Sequence, residues 1–396
     1  MPPVVSEIQK RGLPELRLRI ASEDEIASDL AGFCATMLRG REANVLLGKS
    51  YLTKVMTLVG VSAKADFATE IRKVEELAGL SWRPDVLMDL SILAPGLLST
   101  IIDIFPGPVG TLPHYLVYNP RTGIDATALL ERIQAVAEAG AAIITIHPTP
   151  NTSLYDTAKR VRRLPSTARG GGMVIRDMVI NGRDESVFAT VYDDILTICA
   201  KQNMVLSIGA AFRPSSIFEA LDEAHVQETI LQAQFISAAK AAGVPVIQEG
   251  LGHIRLSDLA RYVALIEANE VPFMPLGPMV TDAAVGFDHV VSAIGASQLG
   301  MLGFAQMINS VTREEHTGRV PSHRSILEGV MAARTAAHAI NISRFAPVEA
   351  LDRSVVEGRA ETRSCVVAGG IFNHSEIEPT KHGCNRCSFS CPLHLA

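Results

Sequence analysis

The sequence predicts a (β/α)8 barrel, and three observations carry that prediction. Eight short apolar or β-branched runs, at residues 53–60, 85–91, 108–113, 141–148, 172–175, 204–212, 245–250 and 272–277, alternate with stretches of helical periodicity. Runs that are apolar on both faces and separated by helices mark parallel strands buried beneath a helical layer. Polar groups then gather at the ends of these runs, where a barrel of this kind places its chemistry. Finally, the rival open doubly wound sheet wants a glycine-rich first turn. The first turn here, Leu58-Val59-Gly60-Val61-Ser62, has no G-x-G-x-x-G pattern.

Taken in order, residues 1–45 read as a short helical lead-in and residues 46–345 as the barrel, with residues 285–345 read as helical and able to close or extend it. Asp125 caps a helix that places Leu129, Leu130, Ile133 and Val136 on one face, and Gly140 ends it. The segment 186–203 puts Phe188, Val191, Ile195 and Ile198 on one face, with Cys199 beside them as a packing residue. Segments 221–243 and 256–269 behave likewise. Residues 346–396 mix Pro, Gly, Asn and charge, and read as a linker to a cysteine-bearing tail.

Composition narrows the function classes. A hydrophobic content of 47% with only 5% aromatics describes an aliphatic globular core, not a disordered chain. The net charge of −6, with no basic run longer than a few residues, argues against nucleic acid as a partner. The most apolar stretch, 86–105, is interrupted by Asp89, Pro95 and Asp103 and falls short of a membrane span. The first residues lack a basic region followed by an apolar one, so no secretion signal is read there. These features predict a soluble cytoplasmic protein with reduced thiols.

The run ends supply the candidate site. They carry Met88-Asp89-Leu90-Ser91, Pro113-His114-Tyr115, His147-Pro148, Arg169-Gly170-Gly171-Gly172, Arg213-Pro214-Ser215-Ser216 and Glu249-Gly250-Leu251-Gly252-His253. Arginine beside glycines or hydroxyls suits an anion, because the guanidinium forks onto phosphate and backbone N–H groups can approach it. Glu249 and His253 suit a base or a metal ligand, and His253 with His289 or His316 is a possible divalent-metal pair.

The tail holds Cys384, Cys387 and Cys391, a C-x2-C-x3-C arrangement. Three thiolates can converge on a four-iron cluster and leave one iron open. With the solitary Cys365 they could instead close a structural zinc site, although zinc sites usually use two close cysteine pairs.

Several strings occur in the order found in one family. They are Val86-Leu-Met-Asp-Leu-Ser91, Pro108-Val-Gly-Thr-Leu-Pro-His-Tyr115, Thr145-Ile-His147, Arg169-Gly-Gly171, Arg213-Pro214 and Glu249-Gly-Leu-Gly-His253. Leu276-Gly-Pro278, Thr281-Asp282, Gly286-Phe-Asp-His-Val290, Ser292-Ala-Ile-Gly-Ala296 and Glu315-His316 continue the series. On these residues the chain resembles the phosphomethylpyrimidine synthase, or ThiC, family of radical S-adenosylmethionine enzymes, as a divergent member or paralogue.

The resemblance implies a (β/α)8 barrel with a C-terminal cluster-binding tail, in a homodimer. It implies a carbon–carbon lyase that rearranges 5-aminoimidazole ribotide to hydroxymethylpyrimidine phosphate in thiamine biosynthesis. A sister branch makes 5-hydroxybenzimidazole from the same ribotide. The implied cofactors are a 4Fe-4S cluster on Cys384, Cys387 and Cys391, S-adenosylmethionine, and Zn2+ on His253 and His316. The implied partners are a phosphorylated small molecule and an electron donor of the flavodoxin or ferredoxin type. Met88, Tyr115, His147, Arg169, Gly170, Arg213 and Glu249 would contact substrate, with Glu249, His147 and Tyr115 as the catalytic set. Two rival functions are a zinc-dependent barrel hydrolase or lyase with a structural zinc tail, and a non-catalytic binding paralogue.

The departures from the family are specific. The family tail is one residue longer between its last two cysteines. Four positions that are polar in the family are Leu58, Ala168, Ala210 and Met274 here. Each buried polar group of a ligand left unpaired costs about 1–3 kcal/mol, so these changes bear on which substrate is bound.

Overall fold

In the computed structural model, the described residues are 21–62, 66–166, 168–365, 370–372 and 386–394. Helix α1 (Glu23–Ala31), capped by Ser22, leads into a hairpin of β1 (Ala35–Leu38) and β2 (Val45–Gly48). Helix α1 and β1 fall within the stretch read as a helical lead-in, while β2 runs past residue 45 into the stretch read as the barrel. Thr36, Leu38 and Leu47 are fully buried, which only a covered sheet face allows.

Eight parallel strands follow: β3 (Lys54–Val59), β4 (Val86–Asp89), β5 (Val109–Thr111), β6 (Ile143–Ile146), β7 (Val205–Ile208), β8 (Val246–His253), β9 (Phe273–Met279) and β10 (Met307–Asn309). They pair in the order β10-β3-β4-β5-β6-β7-β8-β9. The Gln306 N–H donates to Phe273 O (3.1 Å) and the Phe273 N–H to Gln306 Oε1 (2.8 Å), which bridges the two outer strands. The result is a nearly closed barrel of the TIM type.

Two strand assignments made from sequence change. Residues 172–175 lie inside a helix (Arg169–Asn181) rather than forming a strand. Its buried residues Gly170, Gly171, Val174, Ile175 and Met178 recur at helical spacing, and a short apolar run alone cannot separate the two states. The eighth strand is instead β10, three residues within a region read as helical. Such a brief strand leaves almost no period-two signal.

The helices between the strands are α2 (Phe67–Gly79), α3 (Leu97–Ile104), α4 (Ala126–Glu138), α5 (Thr152–Val161), α6 (Arg169–Asn181), α7 (Val187–Thr190), α8 (Tyr192–Gln202), α9 (Glu223–Ala241), α10 (Leu259–Ile266) and α11 (Asp288–Met301). Asp66, Asp125, Asn151, Ser186 and Asp222 each accept the backbone N–H three residues on, satisfying donors that a helix start leaves open. Cys199 is fully buried among Val187, Phe188 and Ile195, in the packing role expected for it. Helix α12 (His323–Arg344) packs on α11 and β3, and α13 (Glu349–Thr362) occupies part of the stretch read as linker.

The barrel interior has two ends. At the N-terminal end Leu38, Val45 and Leu47 of the hairpin pack among Val86, Ala142, Val205, Ile247 and Met307. Thr36 Oγ1 also donates to Val246 O (3.3 Å), so the hairpin plugs that end. The C-terminal end is open and carries the candidate site. Among the described residues no helix is long and apolar enough to cross a membrane.

Candidate active site

A cavity of about 410 Å³ lies at the C-terminal end of the barrel. Of the residues singled out from sequence, Met88, Tyr115, His147, Arg169, Gly170, Arg213, Glu249, His253 and His316 line it. So do Leu58 and Met274, two of the positions that depart from the family. The other two, Ala168 and Ala210, are buried and are not part of its lining. Met56, Met88, Leu112 and Met274 belong to the apolar cluster of the barrel interior and form an apolar floor beneath the polar groups.

Glu249 sits near the middle of β8, 5% exposed. Burial pushes its carboxyl up to about 7, against the opposing pull of Arg213, whose Nη1 lies 3.8 Å away. Tyr115 is pushed up to about 12 by burial, with Arg169 and Arg213 pulling it down. The Arg169 guanidinium lies 5.8 Å from the centre of the Tyr115 ring, within cation–π range. His147 is held well below the ordinary histidine range, first by burial and then by His114 and Arg213. It is therefore a neutral imidazole at physiological pH.

Gly170 is small for a visible reason. A Cβ there would lie 2.6 Å from His147 Cε1 and 3.0 Å from His114 Nε2. Arg169, Gly170 and Gly171 form the first turn of α6, so the cation and the close backbone come from a helix start after β6. That differs from the strand end expected for them. Thr145 Oγ1, His147 Nδ1 and Asn309 Oδ1 line the cavity without a hydrogen-bond partner. Unpaired buried polar atoms around a cavity are what a polar ligand would satisfy.

The second histidine pair is brought together across the mouth. His253 Nδ1 meets Asp282 Oδ1 at 2.7 Å, and His316 Nδ1 meets Asp288 Oδ1 at 2.6 Å. A carboxylate on each Nδ1 fixes the tautomer that leaves the Nε2 lone pair free. The two Nε2 atoms face each other at 3.2 Å. Such a pair needs a proton or a metal ion between its facing nitrogens. Two nitrogens at about 2.0–2.1 Å from a tetrahedral zinc stand roughly 3.3 Å apart, so the spacing of this pair suits two zinc ligands, while among the described residues no group of three or more such donors comes together. Burial lowers the His253 pKa, opposed by its hydrogen bond with Asp282. His289 lies outside this arrangement and outside the cavity lining.

In the tail, Cys387 and Cys391 lie on either side of a short turn in which the Ser390 N–H donates to Cys387 O (3.0 Å). Cys384 lies outside the described residues.

The sequence reading missed Asn309 and Ser310 as cavity residues because the strand that carries them there was not recognised, and it quoted Glu315 only as part of a string. It quoted Asp282 and Asp288 only as parts of strings. Their spacing from the histidines, 29 and 28 residues, carries no local signal.

The family model described as the radical SAM ThiC family matches residues 22–395. The chain belongs to the radical SAM ThiC family. Membership implies an enzyme that uses S-adenosylmethionine and an iron–sulfur cluster. A 5-hydroxybenzimidazole synthase BzaA from Eubacterium limosum is 34% identical, over 76% of this chain and 73% of its own. A phosphomethylpyrimidine synthase from Moorella thermoacetica is 31% identical, over 76% and 72%. A second BzaA, also from Moorella thermoacetica, is 28% identical over 92% of this chain and 89% of its own. Among solved structures, a dihydropteroate synthase from Xanthomonas albilineans has 14% identity and a TM-score of 0.42, over 78% of this chain and 94% of that one. That likeness is too loose to add to the argument.

Proposed function

We propose that this ThiC-family enzyme is a carbon–carbon lyase that rearranges 5-aminoimidazole ribotide to hydroxymethylpyrimidine phosphate, a step of thiamine biosynthesis. The observation that carries the reading is the convergence of Arg169, Arg213, Glu249, His147 and Tyr115 on one cavity. Arg169 and Arg213 hold the phosphate of the ribotide, since guanidinium groups fork onto phosphate oxygens. Glu249, poised near neutrality, moves a proton at its carboxyl oxygens, as a group whose pKa lies near the working pH can do in either direction. Neutral His147 accepts or donates one hydrogen bond to the substrate, and Tyr115 donates from its phenol. Met88 and Leu112 pack beneath the bound molecule and exclude water.

Cys384, Cys387 and Cys391 hold a 4Fe-4S cluster, and His253 and His316 hold Zn2+. When bound, the cluster and S-adenosylmethionine supply the radical that begins the rearrangement. A flavodoxin or ferredoxin type protein serves as electron donor, and the chain works as a homodimer in the cytoplasm. A second reading, formation of 5-hydroxybenzimidazole, draws support from Leu58 and Met274 in the cavity wall. Apolar side chains there suit a fused carbocyclic product better than a polar aminopyrimidine.

The test is anaerobic reconstitution with iron and sulfide, then incubation with S-adenosylmethionine, a reductant and the ribotide. The protein should carry one zinc before reconstitution and lose it in His316→Ala. 5′-Deoxyadenosine should form faster with the ribotide than without it, and the pyrimidine phosphate should appear. A benzimidazole product would establish the second reading. No cluster and no 5′-deoxyadenosine would end both.

A further inference from the structure

Helix α9 turns inward a carboxylate that the proposed reaction does not use. Glu228 is 1% exposed. Its Oε1 accepts the Ala211 N–H (2.6 Å) and the Thr149 hydroxyl (2.7 Å), and its Oε2 accepts the Phe212 N–H (2.8 Å). Ala211 and Phe212 are the two residues before Arg213, and Thr149 stands two residues after His147. One buried carboxylate thus joins the loop after β6 to the loop after β7.

The same loop is held from its other side. Arg162, gripped by both oxygens of Asp222 (2.7 Å each), donates to Phe212 O (2.6 Å) and more distantly to Arg213 O (3.4 Å). The next carbonyl, Pro214 O, accepts the His253 N–H (3.1 Å). The backbone on both sides of Arg213 is therefore tied down by buried partners. A carboxylate inside a protein is costly unless its oxygens are satisfied. An apolar side chain at this position would avoid that cost, but it would strand the N–H groups of Ala211 and Phe212.

We propose that Glu228 is a positioning residue: through the amides of Ala211 and Phe212 and the hydroxyl of Thr149, it aims Arg213 and registers it against His147. The proposal rests on the reading that Arg213 meets the anionic group of the substrate, and it is independent of the radical chemistry.

A double-mutant cycle on the full chain separates aim from bulk stability. Affinity for ribose 5-phosphate is measured by calorimetry for the wild type, Glu228→Gln, Arg213→Ala and the double variant. Glutamine keeps the shape but turns one acceptor into a donor facing an N–H group. Glu228→Gln is expected to weaken binding by about tenfold or more, since hydrogen bonds to charged groups are among the stronger ones. In the Arg213→Ala background it should have no further effect. An equal loss in both backgrounds would show a general structural role and overturn the proposal. So would unchanged affinity in Arg213→Ala, because Glu228 would then have no anion contact to aim. Should Glu228→Gln fail to fold, Thr149→Val runs the same cycle by removing one donor. Dependence on Arg213 supports the proposal and full additivity sinks it. Formation of 5′-deoxyadenosine is assayed separately, so failure here and failure of the radical reading remain distinct.

Discussion

Glu249 is a carboxyl buried at the expense of the fold, a cost that its proposed part in proton transfer would account for. Its carboxyl titrates near 7 inside the barrel, against an ordinary value of 4.5. Between those two values the folded chain holds a proton that the unfolded chain has released, so folding stability falls as pH rises across that window. Above pH 7 the deficit is complete and amounts to up to about 3 kcal/mol. Glu249→Gln removes the ionisation while keeping the shape. The variant should therefore gain stability over the wild type at pH 8, and the gap should close towards pH 5. Chemical denaturation at the two pH values reads this directly, and a gap that does not depend on pH would contradict it. The same variant should lose turnover, because a glutamine amide neither takes up nor releases a proton. The sequence made Glu249 a candidate by its place in a Glu-Gly-Leu-Gly-His string. Its poise comes from depth and from an arginine 36 positions earlier, neither of which local spacing encodes.

At the scale of elements, the glycines at the start of α6 divide by what surrounds them. A Cβ on Gly170 would strike the His147 ring, and one on Gly171 would lie 2.4 Å from Ala211 Cα, whereas one on Gly172 would meet nothing within 4 Å. Three identical letters thus carry two close approaches and one free position. Gly170→Ala should displace His147 or the helix and weaken ribose 5-phosphate binding by about tenfold or more, as small misplacements of a site do. Gly172→Ala should leave binding alone and stabilise the protein by up to about 1 kcal/mol through helix propensity. Calorimetry and thermal unfolding of the two variants check the contrast, and similar effects from both would refute it. The elements easiest to read were those with long periodicity or a cap, such as the Asp125-capped α4. Those misread were short: β10 has three residues, and the apolar run at 172–175 fits one face of a helix as well as a strand. Placing Arg169 at a helix start also depended on that distinction, so the residue was found but its support was not.

Across the whole molecule the barrel separates stability from chemistry. The hairpin of β1 and β2 fills the N-terminal end with Leu38, Val45 and Leu47, while the candidate site occupies the C-terminal end. Nothing in residues 35–48 announced that plug, because each strand has only four residues and its partner surface comes from strand starts spread between Val86 and Met307. Such a plug belongs to the fold rather than to the reaction, as expected for that face of a barrel. Leu47 is fully buried, and truncating a buried leucine typically costs about 2–5 kcal/mol through lost contacts and the cavity left behind. Leu47→Ala should therefore lower the unfolding free energy by that amount. Its effect on ribose 5-phosphate affinity should stay within about twofold, since distant sites without shared partners behave additively. Denaturant titration and calorimetry on the same preparation test both halves. A loss of affinity as large as that of Gly170→Ala would mean that the two ends are coupled through the strands and that the apolar floor of Met56, Met88 and Met274 transmits the change.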